Sequence, residues 1–356
     1  MARRGRAGSS PPRSCRRRRP CRGPRGAPRR RRRVRPLRDR DRAVTVTGPR
    51  PDATAAAAES DPGPERPAYL ERLAARTARA GTVLCLGIDP DPRALPAGFS
   101  QDVSGIESFA RLLLDAAAPH AAAVKPNLAF FEAFGSAGLG ALERLRARIP
   151  ADVPVVIDAK RGDIGTTAAR QAAALFDSLG ADAVTVNPYL GEEAIAPLLE
   201  RLDRFAYVLC RTSNPGAAEL QGLAVVADGA AGHPAEPLYA RVARRAAAWG
   251  PGGTVGLVVG ATAPAELERI RAIAPGLAFL VPGVGAQGGD AATVLRDGPA
   301  TAGPAAGRSG GGLLVNVSRG IAGSASDATG PGRQIDLEAS IDAAAREWAA
   351  RLPVLP

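Results

Sequence analysis

The chain has 356 residues, 45% of them hydrophobic, so it is long enough for one large domain or two ordinary ones with a sizeable core. Its apolar runs fall short of the roughly 18 residues that a membrane-spanning helix needs. Four cysteines are too few and too scattered for a disulfide framework or a zinc cage, and two histidines cannot form a His-rich metal site. We therefore expect a cytoplasmic protein without a metal centre.

The net charge of +12 is distributed unevenly along the chain. Residues 1–50 contain 20 arginines against two acids, which gives +18, so the remaining 306 residues carry −6, the difference between the two values. A mildly acidic body argues against a nucleic-acid-binding fold, which carries its positive charge on the folded surface. Binding of a polyanion, a transit peptide and a localisation signal are alternatives for the basic segment.

The first 65 residues are rich in Arg, Pro and Gly and show no hydrophobic periodicity. Such a segment buries too little apolar surface to offset the entropy of ordering it. We predict a disordered extension over residues 1–65 that does not bind nucleic acid, followed by one catalytic domain over residues 66–356.

From residue 66 onwards, apolar β-branched runs alternate with segments of helical period. The predicted strands are 83–89, 122–127, 153–160, 183–189, 206–213, 254–262, 278–285 and 312–320. Eight such strands alternating with helices predict a closed parallel (β/α)₈ barrel, a TIM barrel. An open doubly wound sheet is the alternative, but no Gly-rich nucleotide-binding turn follows the first strand.

Polar side chains end six of these strands, at the rim where (β/α)₈ barrels carry their active sites. They are Asp89; Lys125 and Asn127; Asp158 and Lys160; Thr212, Ser213 and Asn214; Gln287; and Ser318 and Arg319. Lys125 and Lys160 are the only lysines among 47 basic residues. A lysine differs from an arginine in offering a compact ammonium that can give up its proton, so we infer a chemical role for this pair over chance survival at the surface.

The segment from Asp158 to Asp163 concentrates charge at the end of the third strand. Asp158 and Lys160 are two residues apart, so their side chains are expected on the same face of the strand. Carboxylates beside an ammonium favour its charged form and fix its position through charge-assisted hydrogen bonds. A salt bridge without catalytic purpose is the alternative interpretation.

These residues resemble the orotidine 5′-phosphate decarboxylase family. The segment DAKRGDIGTT matches the family's D-x-K-x-x-D-I signature, and the other matching segments occur in the family's order: LGIDPDP, VKPNLAFFEAFG, NPYLG, TSNPGA, VPGVGAQGGD and VNVSRGI. The resemblance covers about residues 67–350 and is greatest to a bacterial subgroup that includes mycobacterial and myxobacterial enzymes. It implies conversion of orotidine 5′-phosphate (OMP) to UMP and CO₂ in de novo pyrimidine biosynthesis, with no cofactor and no metal.

The resemblance implies that Lys160 protonates C6 of the pyrimidine as CO₂ leaves. Asp158 would face the departing carboxylate and orient Lys160, and Lys125 would bridge the ribose and the acidic network. Independently of the resemblance, a fixed ammonium suits this reaction, because the carbanion that develops at C6 has no other electron sink.

Further roles follow from the same resemblance. It implies that Asp163 and Thr167 reach across the interface of a homodimer, so that the two subunits share their active sites. The implied substrate contacts are Asp89 to the ribose hydroxyls, Ser213 to the pyrimidine, and Gln287 with Arg319 to the 5′-phosphate.

Two other functions fit parts of the sequence. A magnesium-dependent phosphosugar lyase of the hexulose-phosphate synthase or keto-gulonate-phosphate decarboxylase type shares the D-x-K-x-x-D core, and a nucleic-acid-associated protein would act through residues 1–50.

The low-complexity segment 291–311 is expected to be an expanded, mobile loop or part of a lid, with Arg308 as a candidate second phosphate contact.

Overall fold

The computed structural model describes residues 67–227, 229, 232, 234–285, 287–328 and 336–355. The predicted extension over residues 1–65 lies outside the described residues, so its disorder stays a prediction. Within the described residues, the eight predicted strands are all present, each close to its predicted position. They are β1 (Leu84–Ile88), β2 (Ala123–Pro126), β3 (Val156–Arg161), β4 (Ala183–Val186), β5 (Phe205–Arg211), β6 (Val255–Val259), β7 (Ala278–Pro282) and β8 (Leu314–Val317).

The strands form a closed parallel barrel, which confirms the predicted (β/α)₈ fold over an open sheet. Each strand except β2 pairs with the next along the chain, and β8 pairs with β1. The contact between β2 and β3 consists of two parallel bridges, Val124 with Val155 and Asn127 with Asp158. Because all strands are parallel, their carboxyl ends lie at one rim of the barrel.

Helices surround the barrel and cover the outward faces of its strands. They are α1 (Tyr69–Ala80), α2 (Val103–Ala117), α3 (Leu128–Glu132), α4 (Gly135–Arg148), α5 (Gly165–Ala172), α6 (Ala196–Leu199), α7 (Ala217–Gln221), α8 (Leu238–Ala246), α9 (Pro264–Ile273), α10 (Ala291–Asp297), α11 (Arg319–Ala328) and α12 (Leu337–Arg351). A short antiparallel ribbon joins Ala224–Val225 to Glu236–Pro237. No helix in the described ranges is long and apolar enough to cross a membrane.

Helix α1 packs into the amino-terminal end of the barrel, opposite the rim where the strands end. Tyr69 is fully buried and stacks on Phe205 of β5, with ring centroids 4.8 Å apart, and its hydroxyl lies 3.2 Å from that of Tyr207. Small side chains such as Ala123 and Ala183 leave room in the interior for these rings. Burying each large side chain contributes about 1.5–3 kcal/mol to stability, so α1 anchors the closed end.

The expectation of a loop over 291–311 is wrong for its first third, which forms α10. Asp290 caps this helix by accepting hydrogen bonds from the amides of Ala292 and Thr293. The remainder leads to the start of β8 and therefore lies at the amino-terminal end of the barrel, where Arg308 contacts Glu71 of α1. Neither a lid over the rim nor a phosphate contact by Arg308 is compatible with this position.

Candidate active site

A cavity of about 300 Å³ opens at the carboxyl ends of the strands, and all eight strands contribute to it. Six of the nine predicted site residues line it, namely Asp89, Lys125, Asp158, Lys160, Ser213 and Gln287. The other lining residues are Asn127, Thr185, Leu209, Thr212, Asn214, Val258, Leu280, Pro282 and Asn316. The polar strand ends therefore line one cavity, which has a polar side and an apolar side.

Asp158 binds both lysines of the chain. Its Oδ1 lies 2.5 Å from Nζ of Lys160, and its Oδ2 lies 2.9 Å from Nζ of Lys125. Lys125 is buried and the Asp158 side chain is 14% exposed, whereas the Lys160 side chain is 51% exposed and lines the cavity. One ammonium is thus a buried structural partner of Asp158, and the other is available to a bound molecule.

The protonation states in this network follow from the neighbouring charges. Burial alone would raise the pKa of Asp158, but the charges of Lys125 and Lys160 outweigh it and hold that pKa well below its ordinary value. Burial would likewise lower the pKa of Lys125, but the negative charges of Asp158 and Asp89 bring it above its ordinary value. At neutral pH the site therefore holds an anionic carboxylate against a buried cation.

Strand β3 departs from regular geometry between Asp158 and Lys160. Ile157 pairs with Val184, and the next pair joins Arg161 to Val186, so three residues of β3 lie opposite the single residue Thr185. Lys160 has a φ of +49°, which makes it the one non-glycine residue with positive φ in the described part of the chain. The predicted meeting of Asp158 and Lys160 is confirmed, but a bulge brings it about instead of simple strand alternation.

Two buried oxygen atoms in the cavity have no hydrogen-bond partner among the described residues. They are Oδ1 of Asp89, just after β1, and Oδ1 of Asn316 on β8. Buried polar atoms are nearly always hydrogen-bonded in folded proteins. Both side chains line the cavity and come from the neighbouring strands β1 and β8, so they form part of its polar side.

Two hydrogen bonds from one side chain hold the end of β5. Gln221 of α7 accepts a hydrogen bond from the Thr212 amide through Oε1 and donates to the Thr212 hydroxyl through Nε2. Gly283 follows β7 with a φ of +99°, and a Cβ there would lie 3.0 Å from both Ser213 and Gln287. Glycine is needed because the two predicted substrate contacts approach the backbone at this point.

Arg319 lies beside the main cavity instead of in its wall. It is exposed at the first position of α11 and lines an adjoining cavity of about 180 Å³, which shares Asp89 with the main one. Backbone N–H groups at a helix start favour anions. Gln287 and Arg319 therefore lie on two adjacent surfaces of the rim.

Asp163 and Thr167 are not brought into the cavity of their own chain. Asp163 Oδ1 accepts a hydrogen bond from the amide of Ile164, and Thr167 is exposed in α5. Thr167 lines a separate groove, together with Leu128, Leu139 and Arg161. Neither residue lines this chain's own cavity.

Two polar residues of the cavity were missed by the sequence analysis, Thr185 on β4 and Asn316 on β8. Both lie inside strands, whereas site residues were predicted only at and after the strand ends. A polar residue within an otherwise apolar strand is the signal that could have identified them. In the described ranges, no three His, Cys, Asp or Glu side chains form a group suited to a metal ion.

Known proteins that resemble this chain identify its family. A family model described as "Orotidine 5'-phosphate decarboxylase / HUMPS family" matches residues 82–334. The orotidine 5′-phosphate decarboxylase of Thermomicrobium roseum is 46% identical over 255 residues, which are 71% of this chain and 86% of that protein. The enzyme of the same name from Halorubrum lacusprofundi is 46% identical over 286 residues, which are 80% and 97% of the two chains.

A solved structure extends the comparison to three dimensions. The structure of Leishmania donovani OMP decarboxylase matches with a TM-score of 0.65 and 37% identity, covering 80% of this chain and 97% of that one. The chain therefore belongs to the orotidine 5′-phosphate decarboxylase / HUMPS family.

Proposed function

We propose that this protein decarboxylates OMP to UMP and CO₂, as the step that completes UMP in pyrimidine biosynthesis. The observation that carries the proposal is the pairing of Lys160 with Asp158 at an open cavity, with Lys125 buried behind them. The comparisons support it, because the relatives that match over most of their length carry this name.

In the proposed reaction, the bond between C6 of the pyrimidine and the carboxylate carbon breaks, and its electron pair stays on C6 as CO₂ leaves. Lys160 transfers a proton from Nζ to C6, and the resulting amine regains a proton from solvent. The fixed ammonium stabilises the charge that develops at C6 without reorganisation. An arginine at this position would supply the charge but not the proton.

The remaining contacts are assigned by chemistry and position. The carboxylate of Asp89, which lines the cavity, would accept a hydrogen bond from a ribose hydroxyl. Ser213 would contact the pyrimidine ring, whose faces meet the apolar wall of Leu209, Val258 and Leu280. Gln287 and Arg319 would hold the 5′-phosphate, and a charged pair with an anion is stronger than a neutral hydrogen bond.

We further propose a homodimer in which Asp163 and Thr167 of each subunit complete the partner's site. The loops near these residues expose large apolar side chains: Ile164 is 63% exposed and Tyr189 is 80% exposed. Clustered apolar exposure of this kind is typical of protein interfaces.

We place the enzyme in the cytoplasm, where the free thiols of Cys85 and Cys210 would stay reduced.

The full-length protein incubated with OMP tests the reaction through the loss of OMP absorbance. We expect turnover that is unchanged by EDTA, and an HPLC peak of UMP equal to the OMP consumed. Turnover that EDTA abolishes and magnesium restores, or aldol activity on hexulose phosphates with none on OMP, would favour the magnesium-dependent lyases and contradict the proposal.

A further inference from the structure

The hydroxyl of Thr185 forms hydrogen bonds with three groups of the segment from Asp158 to Lys160. Its side chain is buried on β4, opposite the bulge of β3. Its Oγ1 lies 3.0 Å from the amide nitrogens of both Ala159 and Lys160, and 2.9 Å from Oδ1 of Asp158. The neighbouring residues of β3 pair with backbone groups of β4, whereas these three groups depend on a side chain.

The hydrogen-bonding capacity of this hydroxyl is fully used. A threonine hydroxyl has two acceptor lone pairs and one proton. The two amides donate to the oxygen, so its proton is left for the carboxylate of Asp158. The backbone therefore determines the direction of the O–H bond. This bond restricts the rotation of the Asp158 carboxylate, which also binds Lys125 and Lys160.

The same contact supports a strained backbone. Lys160 has a φ of +49°, a conformation that costs about 1–2 kcal/mol in a residue with a Cβ. Strain of this kind persists only where surrounding contacts determine the conformation. The bond from the Lys160 amide to Thr185 is one such contact, and it sets the point from which the lysine side chain extends to the cavity.

We propose that Thr185 is a positioning residue for the decarboxylation: its hydroxyl holds Asp158 and the backbone of Lys160 in the geometry that delivers the ammonium to the substrate. This inference rests on the proposed function. It predicts that loss of the hydroxyl affects turnover and leaves ligand binding nearly unchanged, because Thr185 acts through Asp158 and Lys160.

The test compares Thr185→Val, which preserves shape and removes the hydroxyl, with Thr185→Ser, which retains it. We expect Thr185→Val to lower kcat about 10- to 100-fold, since a displacement near 1 Å in a catalytic group has effects of this size. The KM for OMP and the affinity for UMP, measured by calorimetry, should change less than about threefold, a difference below 1 kcal/mol. Thr185→Ser should keep kcat within about threefold of wild type.

Each outcome separates the two claims. If wild type is active and a folded Thr185→Val is equally active, this inference alone is overturned. The same holds if Thr185→Ser is as impaired as Thr185→Val. Equal losses in kcat and UMP affinity would indicate general damage to the cavity and also overturn it. A wild type without OMP turnover contradicts the proposed function itself. If Thr185→Val fails to fold, Thr185→Ser still decides, because it must retain activity.

Discussion

At the scale of single residues, two side chains of the same type have different roles because their surroundings differ. Lys125 is buried and Lys160 is half exposed, although both bind the same carboxylate. Both lysines stand out in the sequence because every other basic residue is an arginine. Their division of roles was not predictable from the residues alone, because burial depends on the packing of neighbouring strands.

The arginines near the two ends of the barrel provide a matched pair for a kinetic prediction. We expect Arg319→Ala to raise the KM for OMP about 10- to 100-fold, since a hydrogen bond to a charged group contributes about 1.5–3 kcal/mol. Arg308→Ala should leave KM and kcat unchanged, because Arg308 lies at the opposite end of the barrel beside Glu71. Steady-state kinetics on both variants checks this; equal effects would contradict the placement of the phosphate site.

Asp158 should make stability depend on pH in a defined direction. Its folded pKa lies below the ordinary value of 3.8, so the unfolded chain binds this proton more readily. The stability it contributes is then fully present above about pH 5 and is lost as pH falls through 3.8 towards the folded value. We expect Asp158→Asn to lower the free energy of unfolding by about 3–5 kcal/mol at pH 7, because Lys125 loses a buried charged partner.

Urea unfolding of wild type and variant between pH 7 and pH 3 measures this effect, and the difference should shrink below pH 5. Asp115→Asn is the control, because Asp115 pairs with Arg148 at the surface and both side chains are 47% exposed. Its effect should stay within about 1 kcal/mol. A constant difference for Asp158→Asn across this range would contradict the coupling.

At the scale of elements, the strands were predictable and the departures from regularity were not. Eight apolar runs identified β1–β8 because buried parallel strands read as near-continuous hydrophobic segments. The bulge at Lys160 was missed, since it depends on the side chain of Thr185 from another strand. Segment 291–311 was assigned to a loop because its composition outweighed the capping signal of Asp290.

The last helix contacts both the loop that follows β7 and the first turn of α11, which follows β8. Trp348 of α12 donates from Nε1 to the carbonyl of Gly320 at 3.2 Å, and a Cβ at Gly285 would lie 2.6 Å from its ring. We expect Trp348→Phe to raise the KM for OMP about 2- to 10-fold with little change in kcat, because the lost hydrogen bond contributes about 0.5–1.5 kcal/mol to holding the segments that carry Gln287 and Arg319, the proposed phosphate contacts.

The chain provides a control in its other tryptophan. Trp249 is equally buried, but its Nε1 has no hydrogen-bond partner among the described residues. Trp249→Phe should therefore leave the KM unchanged in the same kinetic assay. If both variants raised KM alike, general loss of packing would explain the effect and α12 would have no specific role.

At the scale of the whole molecule, one cavity at one end of a barrel collects side chains from eight strands. That gathering could be anticipated, because parallel strands of a barrel all end at the same rim. The proposed contribution of a partner subunit has no signal in the residues themselves: Asp163 and Thr167 were assigned to an interface by resemblance alone. Their position outside their own cavity is what a shared site requires.

Subunit mixing tests the shared site. We expect Lys160→Ala and Asp163→Ala proteins to be inactive alone and to regain up to about a quarter of wild-type activity when unfolded and refolded together, because each mixed dimer has one intact site. Size-exclusion chromatography with mass detection confirms that dimers form. Mixed dimers without activity would show that Asp163 does not serve the partner's site.

The central claim is that Lys160 supplies the proton to C6, and one variant tests it most directly. Lys160→Ala is expected to lower kcat for OMP by at least about 10⁴-fold, because it removes both the acid and the fixed charge. UMP should still bind, since the groups assigned to its phosphate and ribose remain. Near-complete loss of turnover with retained UMP binding is the result predicted here. A folded Lys160→Ala protein that turns over OMP within about tenfold of wild type would contradict the account.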